Sequence, residues 1–295
     1  MAPLTVDPAA LDSAGAQVAT AGDAWREVWR EVWRDRGSQP APRLPLDLPA
    51  GDNTEASART VSARLSATET DLLLALSRRD QIRPQEALLA ALLAALEQWT
   101  GERRWLLDLE GHGREDLGQE VDLSRTVGWF TSRFPLFFDL GAAPPVARRT
   151  AQTVGRQLRN VPHHGMSYGL LRWLTTDGAG LAAQPAAEVS FNFLGQLDAG
   201  LADEPWLCPE ARMPGPLRGG RGRRRHLIEI DAWVTGGRLR ADFTYSRGCH
   251  RHSTLSALAE SFAANLRALL AEQGSPAAGA LSRQEIENAF AEVEL

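Results

Sequence analysis

Trp105-Leu106-Leu107-Asp108-Leu109 runs directly into Glu110-Gly111-His112-Gly113-Arg114-Glu115, and this junction decides how the chain is read. Residues 105–109 are an apolar run of strand length, and they deliver Glu110 to the strand's end. A carboxylate in that position suits general acid–base chemistry. Gly111 and Gly113 let the backbone turn sharply and approach a substrate. A plainer reading stands beside it: a turn ordered by ion pairing of Arg114 with Glu110, Glu115 or Asp116.

Working outward, the neighbouring signals alternate between the two regular structures. Upstream, Ser66-Ala67-Thr68-Glu69 has capping-box spacing and predicts a helix running to about residue 77. Pro84, at a first-turn position, opens a second helix over residues 85–99, apolar almost all round and so buried. Residues 59–65 alternate as a strand. Downstream, residues 133–140 form a strand that Pro135 pushes to a sheet edge or a bulge. Pro144-Pro145 opens a helix to about residue 160, residues 167–174 form a short one, and residues 189–194 are β-type. Residues 227–234 and 238–245, joined by Thr235-Gly236-Gly237, form the clearest hairpin. An amphipathic helix covers residues 253–272, and Ser282-Arg283-Gln284-Glu285 is a capping box for a C-terminal one.

At the other end, Trp25, Val28, Trp29, Val32 and Trp33 recur at helical spacing after Asp23, a packing stripe rather than a ligand site. Pro40, Pro42, Pro45, Pro49 and Gly51 mark an extended linker. Intermixed helices and strands without a repeat predict an α/β sandwich on a mixed sheet.

Bulk properties exclude several classes. A chain of 295 residues supports a sizeable core, and 43% hydrophobic with 23% charged residues is an ordinary globular composition. The net charge of −5 argues against a dedicated nucleic-acid binder. All 32 basic residues are Arg, a bias of coding rather than of function. Cys208 and Cys249 match no metal or redox spacing and fit free thiols in a reducing, cytoplasmic setting. No apolar run reaches the ~18 residues of a membrane span. The first 22 residues lack the basic region and apolar core of a signal peptide.

Two further stretches carry polar chemistry. His163 and His164 are adjacent, point in different directions and have no Cys or spaced carboxylate nearby, so they line an opening rather than hold a metal. Arg218-Gly219-Gly220-Arg221-Gly222-Arg223-Arg224-Arg225 reads as a mobile basic loop, or as a contact for an acidic protein or phosphate. It lacks the aromatic interleaving of an RNA-binding segment.

Taken in order, EGHGRE (110–115), RTVGWFTS (125–132), VPHHGMSYG (161–169) and SFNFLGQ (190–196) resemble the motifs of the epimerization domains of nonribosomal peptide synthetases, in the condensation-domain superfamily. The resemblance covers nearly everything beyond about residue 22. It implies a chloramphenicol-acetyltransferase-like two-layer sandwich, a mixed sheet covered by helices, forming the C-terminal lobe of a normally two-lobed domain. The chain then divides into an N-terminal extension (1–21, poorly ordered), the Trp-rich helix and Pro-rich linker (22–58), the lobe itself (59–275) and a short C-terminal helix (276–295).

The function implied is antibiotic-type secondary metabolism: L to D epimerization of aminoacyl or peptidyl thioesters on an acyl or peptidyl carrier protein. The substrate rides on phosphopantetheine, with no metal or redox cofactor of the chain's own. Catalysis would fall to Glu110 and Asn192. His112, Arg114, Trp129 and Phe193 would support the loop, and Arg114 would orient Glu110 or the pantetheine path. Thr131, Ser132, Gly165 and Tyr168 would line the pantetheine path, and Arg221, Arg223 and Arg224 would meet the carrier. The expected partners are that carrier, a separate N-terminal lobe and, through surface that such a lobe would cover, a second copy; nucleic acid and membranes are not expected. Two departures stand out. The family's first-lobe motif HHxxxDG is absent, and Phe193 replaces the Tyr of the Asn-Tyr pair. They leave a second reading open, a non-catalytic carrier-binding or scaffold module.

Overall fold

The computed structural model describes residues 27, 29, 42–114, 126–141, 147–174, 181, 183–197 and 219–271. The extension, most of the Trp-rich helix, Cys208, Arg218 and the C-terminal capping box lie outside them. Six strands form one mixed sheet in the order β1-β6-β5-β4-β2-β3. They are β1 Ala58–Arg64, β2 Arg104–Gly111, β3 Ser132–Asp139, β4 Val189–Gln196, β5 Ile228–Thr235 and β6 Arg238–Ser246. β4 runs parallel to both β2 and β5, and the remaining pairs are antiparallel. The helices are α1 Ala67–Asp80, α2 Pro84–Thr100, α3 Ala147–Arg159, α4 Met166–Leu174 and α5 His252–Ala271.

Alternation along the strands splits the sheet into two unlike faces. Ile228, Ile230, Ala232 and Val234 of β5 and Leu239, Ala241, Phe243 and Tyr245 of β6 are all buried and belong to the main core. Against this face lie the helices. Leu88, Leu92 and Leu96 of α2 have no exposure, and α5 presents Leu255, Leu258, Phe262 and Leu266 at helical spacing. Phe262 meets Phe243 edge to face, 5.5 Å between centroids. The intervening residues, Glu229 and Asp231 on β5 and Arg240, Asp242 and Thr244 on β6, point to the opposite face and are only partly covered. The helix-covered face is therefore core; the other is polar and partly open over β5 and β6, with a small buried apolar cluster of Leu106, Phe137 and Ala187 on it.

Local chemistry explains the ends. Glu69 N–H donates to Ser66 Oγ (3.3 Å) and Ser66 N–H to Glu69 Oε2 (2.7 Å), closing the box that starts α1. The β5–β6 turn has two residues, Gly236 and Gly237, both at positive φ, as a tight hairpin needs. Pro135 sits on β3, an edge strand bonded only to β2, where its missing N–H breaks no ladder.

The Pro-rich stretch is fastened to the lobe rather than free of it. Leu44 is buried and its N–H donates to Glu188 Oε2 at 2.7 Å; Leu48 N–H donates to Cys249 O at 3.0 Å. Trp29, within the Trp-rich helix, is fully buried between Phe134 and Tyr168, and its Nε1–H donates to Ser167 Oγ at 2.9 Å. Trp29→Phe removes that bond and part of the filled volume. It is expected to cost about 1–3 kcal/mol, read as a lower urea midpoint.

Candidate active site

The C-terminal ends of β2 and β4 lie side by side with the start of β3, and they assemble a polar cluster on the open face. In the antiparallel ladder Glu110 stands directly opposite Arg133. Its Oε1 accepts from Arg133 Nε at 3.0 Å and from Nη2 of the same group. Its Oε2 accepts from Asn192 Nδ2 at 3.1 Å. The parallel register, Leu109 beside Phe191, is what carries Asn192 to that oxygen. Both carboxylate oxygens are thus held while the side chain keeps 16% exposure, enough to meet a ligand arriving over the face. The sequence points to Glu110 and Asn192, and the structure brings them together. It does not point to Arg133, whose position depends on a pairing across 23 residues.

Two residues back on the same face of β2 is a second charged cluster. Asp108 is 2% exposed, and its Oδ2 meets His226 Nε2 at 2.8 Å and an Arg225 guanidinium nitrogen at 3.1 Å. His226 Nδ1 lies 3.9 Å from Glu229. Burial alone would lower the His226 pKa, but hydrogen bonds to Asp108 and Glu229, with their charges, outweigh it and raise the value. Below the ordinary His value of about 6.5 the ring is protonated folded or unfolded, and its stabilisation is fully present. That contribution is lost as pH rises through the raised folded value. Unfolding free energy should therefore fall with rising pH above about 6.5, and His226→Gln should flatten that slope in urea titrations.

The EGHGRE loop is built to hold its neighbour in place. His112 Nδ1 accepts from the Arg114 N–H at 3.0 Å. Arg114 Nη2 donates to the carbonyls of Thr126 (2.9 Å) and Gly128 (3.3 Å), and its guanidinium lies 4.5 Å from the centre of the Phe130 ring. Arg133 and Asn192 hold Glu110, and Arg114 ties down the 126–130 segment. Gly113 is indispensable to this packing, because it has φ +68° and a Cβ there would fall 1.5 Å from Phe130 O. Trp129 is left 84% exposed, near the fully exposed Val127.

Several other expected positions move. Gly165 and Tyr168 do not line an open path. Gly165 is buried at φ +92° beneath the Phe134 ring, and Tyr168 is 3% exposed against Trp29, its hydroxyl accepting from Arg172 at 2.9 Å. Thr131 and Ser132 stay near the cluster, with Ser132 paired to Gly111. Arg221 and Arg223 are exposed, but Arg224 is buried, donating to Thr244 O at 2.9 Å and pairing with Glu229, so it offers nothing to a carrier. Phe193 packs against the helical-side core. Alternation therefore puts its ring across the sheet from Asn192, and a hydroxyl on it would point away from Glu110.

A mixed six-stranded sheet with helices on one face matches the fold of the condensation-domain family of nonribosomal peptide synthetases, and the chain belongs to that family. The family model described as Condensation domain matches residues 16–287. The chondramide synthase of Chondromyces crocatus is 42% identical over 263 residues, and a linear gramicidin synthase of Brevibacillus parabrevis 40% over 250. These matches cover 87% and 83% of this chain but only 6% and 3% of those proteins. Among solved structures, the epimerization domain from the third module of tyrocidine synthetase B aligns at TM-score 0.74 and 30% identity, over 83% of this chain and 56% of that one. The X-domain from teicoplanin biosynthesis shares the fold at TM-score 0.66 and 17% identity, over 93% of this chain and 62% of that one. The chain thus spans a small fraction of the curated relatives and just over half of the solved epimerization domain. No described helix is long and apolar enough to cross a membrane.

Proposed function

We propose that this chain is the C-terminal lobe of an epimerization-type domain, acting on aminoacyl or peptidyl thioesters held by the phosphopantetheine of a carrier protein. The observation that carries the reading is the Glu110–Asn192 pair on an open polar face, at the strand ends. Glu110 takes the α-proton. The C–H electrons pass into the thioester carbonyl as an enolate, and a proton returned from the opposite wall inverts the carbon. Asn192 holds Glu110 in place, and its second N–H is available to the thioester. The open face is the inner wall of a tunnel whose other wall is a separate N-terminal lobe. The thioester acidifies the α-carbon, so the reaction calls for no metal or redox group from this chain.

A second reading is favoured by the Arg133 ion pair: Glu110 is a structural tie, and the lobe docks carriers without chemistry. α-Proton exchange in deuterated water, measured on an aminoacyl carrier with and without the N-terminal lobe, separates the two. Exchange that requires both lobes supports the enzyme. A confirmed carrier complex with no exchange in either case leaves the docking module.

A further inference from the structure

β6 runs antiparallel to β5, which is parallel to β4 and so to β2; the end of β6 therefore lies at the opposite end of the sheet from Glu110. A cavity of about 430 Å³ opens there, and three exposed arginines are among its lining residues, Arg59 also donating from Nη1 to Ala58 O at 2.6 Å. Arg59 comes from β1, Arg247 follows β6, and Arg251 immediately precedes α5; His250, His252 and Tyr245 share the wall. No ion pair joins any of the three arginines to a carboxylate of the described residues. Asp47 is close by, but its Oδ2 is engaged by the Arg251 backbone N–H at 2.8 Å, where it caps the start of α5. The helix end is therefore already satisfied; the Asp47 charge also acts on Arg251, and Arg59 and Arg247 carry the remaining positive charge.

His250 borders the cavity. It is fully buried, and its Nε2 faces the carbonyl of Pro45 at 3.1 Å, so that nitrogen carries the hydrogen. Its Nδ1 is buried with no hydrogen-bond partner among the described residues. That nitrogen has no exposed surface, so the three arginines alone carry the argument for an anion. The cavity is in the ~300–1,000 Å³ range of small-molecule sites, larger than a bare phosphate, and the Tyr245 ring and Leu48 give it an apolar side.

We propose that this cavity binds a phosphate-class oxyanion through Arg59, Arg247 and Arg251. The site is remote from Glu110 and does not depend on the epimerization reading. Calorimetric titration of the whole chain at about 50 mM ionic strength, where charge screening is modest, tests it with three probes: pyrophosphate, adenosine 5′-phosphate and adenosine. Both phosphates should bind saturably and adenosine should not. Tighter adenosine 5′-phosphate assigns an organic phosphate, and tighter pyrophosphate an inorganic one. The double substitution Arg59→Gln/Arg247→Gln should weaken binding at least tenfold, about 1.4 kcal/mol. Arg149→Gln, on exposed α3 surface, should leave it unchanged. These are surface residues, so an unaltered thermal midpoint confirms folding. Absence of saturable phosphate binding, unchanged affinity in the double variant, or adenosine binding as tightly as its phosphate overturns the proposal.

Discussion

Glu110→Gln should reduce α-proton exchange on the carrier-bound thioester by about 10²–10⁴-fold, the usual contribution of a positioned general acid–base group. The substitution keeps the side chain's shape. The Gln oxygen still accepts from Arg133, and rotation of the Asn192 amide turns its oxygen toward the new N–H₂. Folding and carrier affinity should therefore be unaffected, and the loss should appear in the exchange rate alone. If Glu110 is only a tie for Arg133, the exchange rate and assembly-line output will not respond to the substitution, while deletion of the lobe abolishes output.

Asp108→Ala should be the most destabilising change on the open face, costing about 3–5 kcal/mol. Asp108 answers both the buried His226 and the half-exposed Arg225, and Arg224 and Glu229 pack into the same cluster. Removing the carboxylate takes away the partner that does most to raise the His226 pKa and leaves the buried ring beside Arg225, with Glu229 as the remaining counter-charge. Asp108→Asn keeps the volume and one acceptor and should cost about 1–3 kcal/mol. Urea denaturation with both variants provides the measurement. A loss below about 1 kcal/mol for Asp108→Ala would show that the cluster contributes little to stability.

These two residues also show what was legible in the chain. Period-2 alternation over residues 228–246 reports a half-buried hairpin, because each residue's face is set by its own parity. Pro135 reports an edge strand and Ser66–Glu69 a helix start for equally local reasons. Glu110 was visible because it interrupts an apolar run beside two glycines, and Asp108 shares its face by the same parity. What stayed hidden depends on register between distant segments. Arg133 reaches Glu110 through the β2–β3 ladder, and His226 reaches Asp108 across 118 positions.

A run such as Arg223-Arg224-Arg225 reads as solvated throughout. Only the pairing of β5 with β6 buries its middle member against Thr244. Phe193 misled for a related reason: the motif records an aromatic beside Asn192, but not that the strand turns the two to opposite faces. The missing hydroxyl therefore weighs less against catalysis than the absent HHxxxDG, which concerns the facing wall.

The epimerization reading is tested most directly from both configurations at once. Carrier protein is loaded separately with the L and the D aminoacyl thioester, each is incubated with this lobe and its N-terminal partner, and the released amino acid is resolved chirally over time. Both preparations should converge on the same L/D mixture, and with Glu110→Gln neither should move. Retention of the starting configuration in both, with the carrier complex formed, would contradict the account.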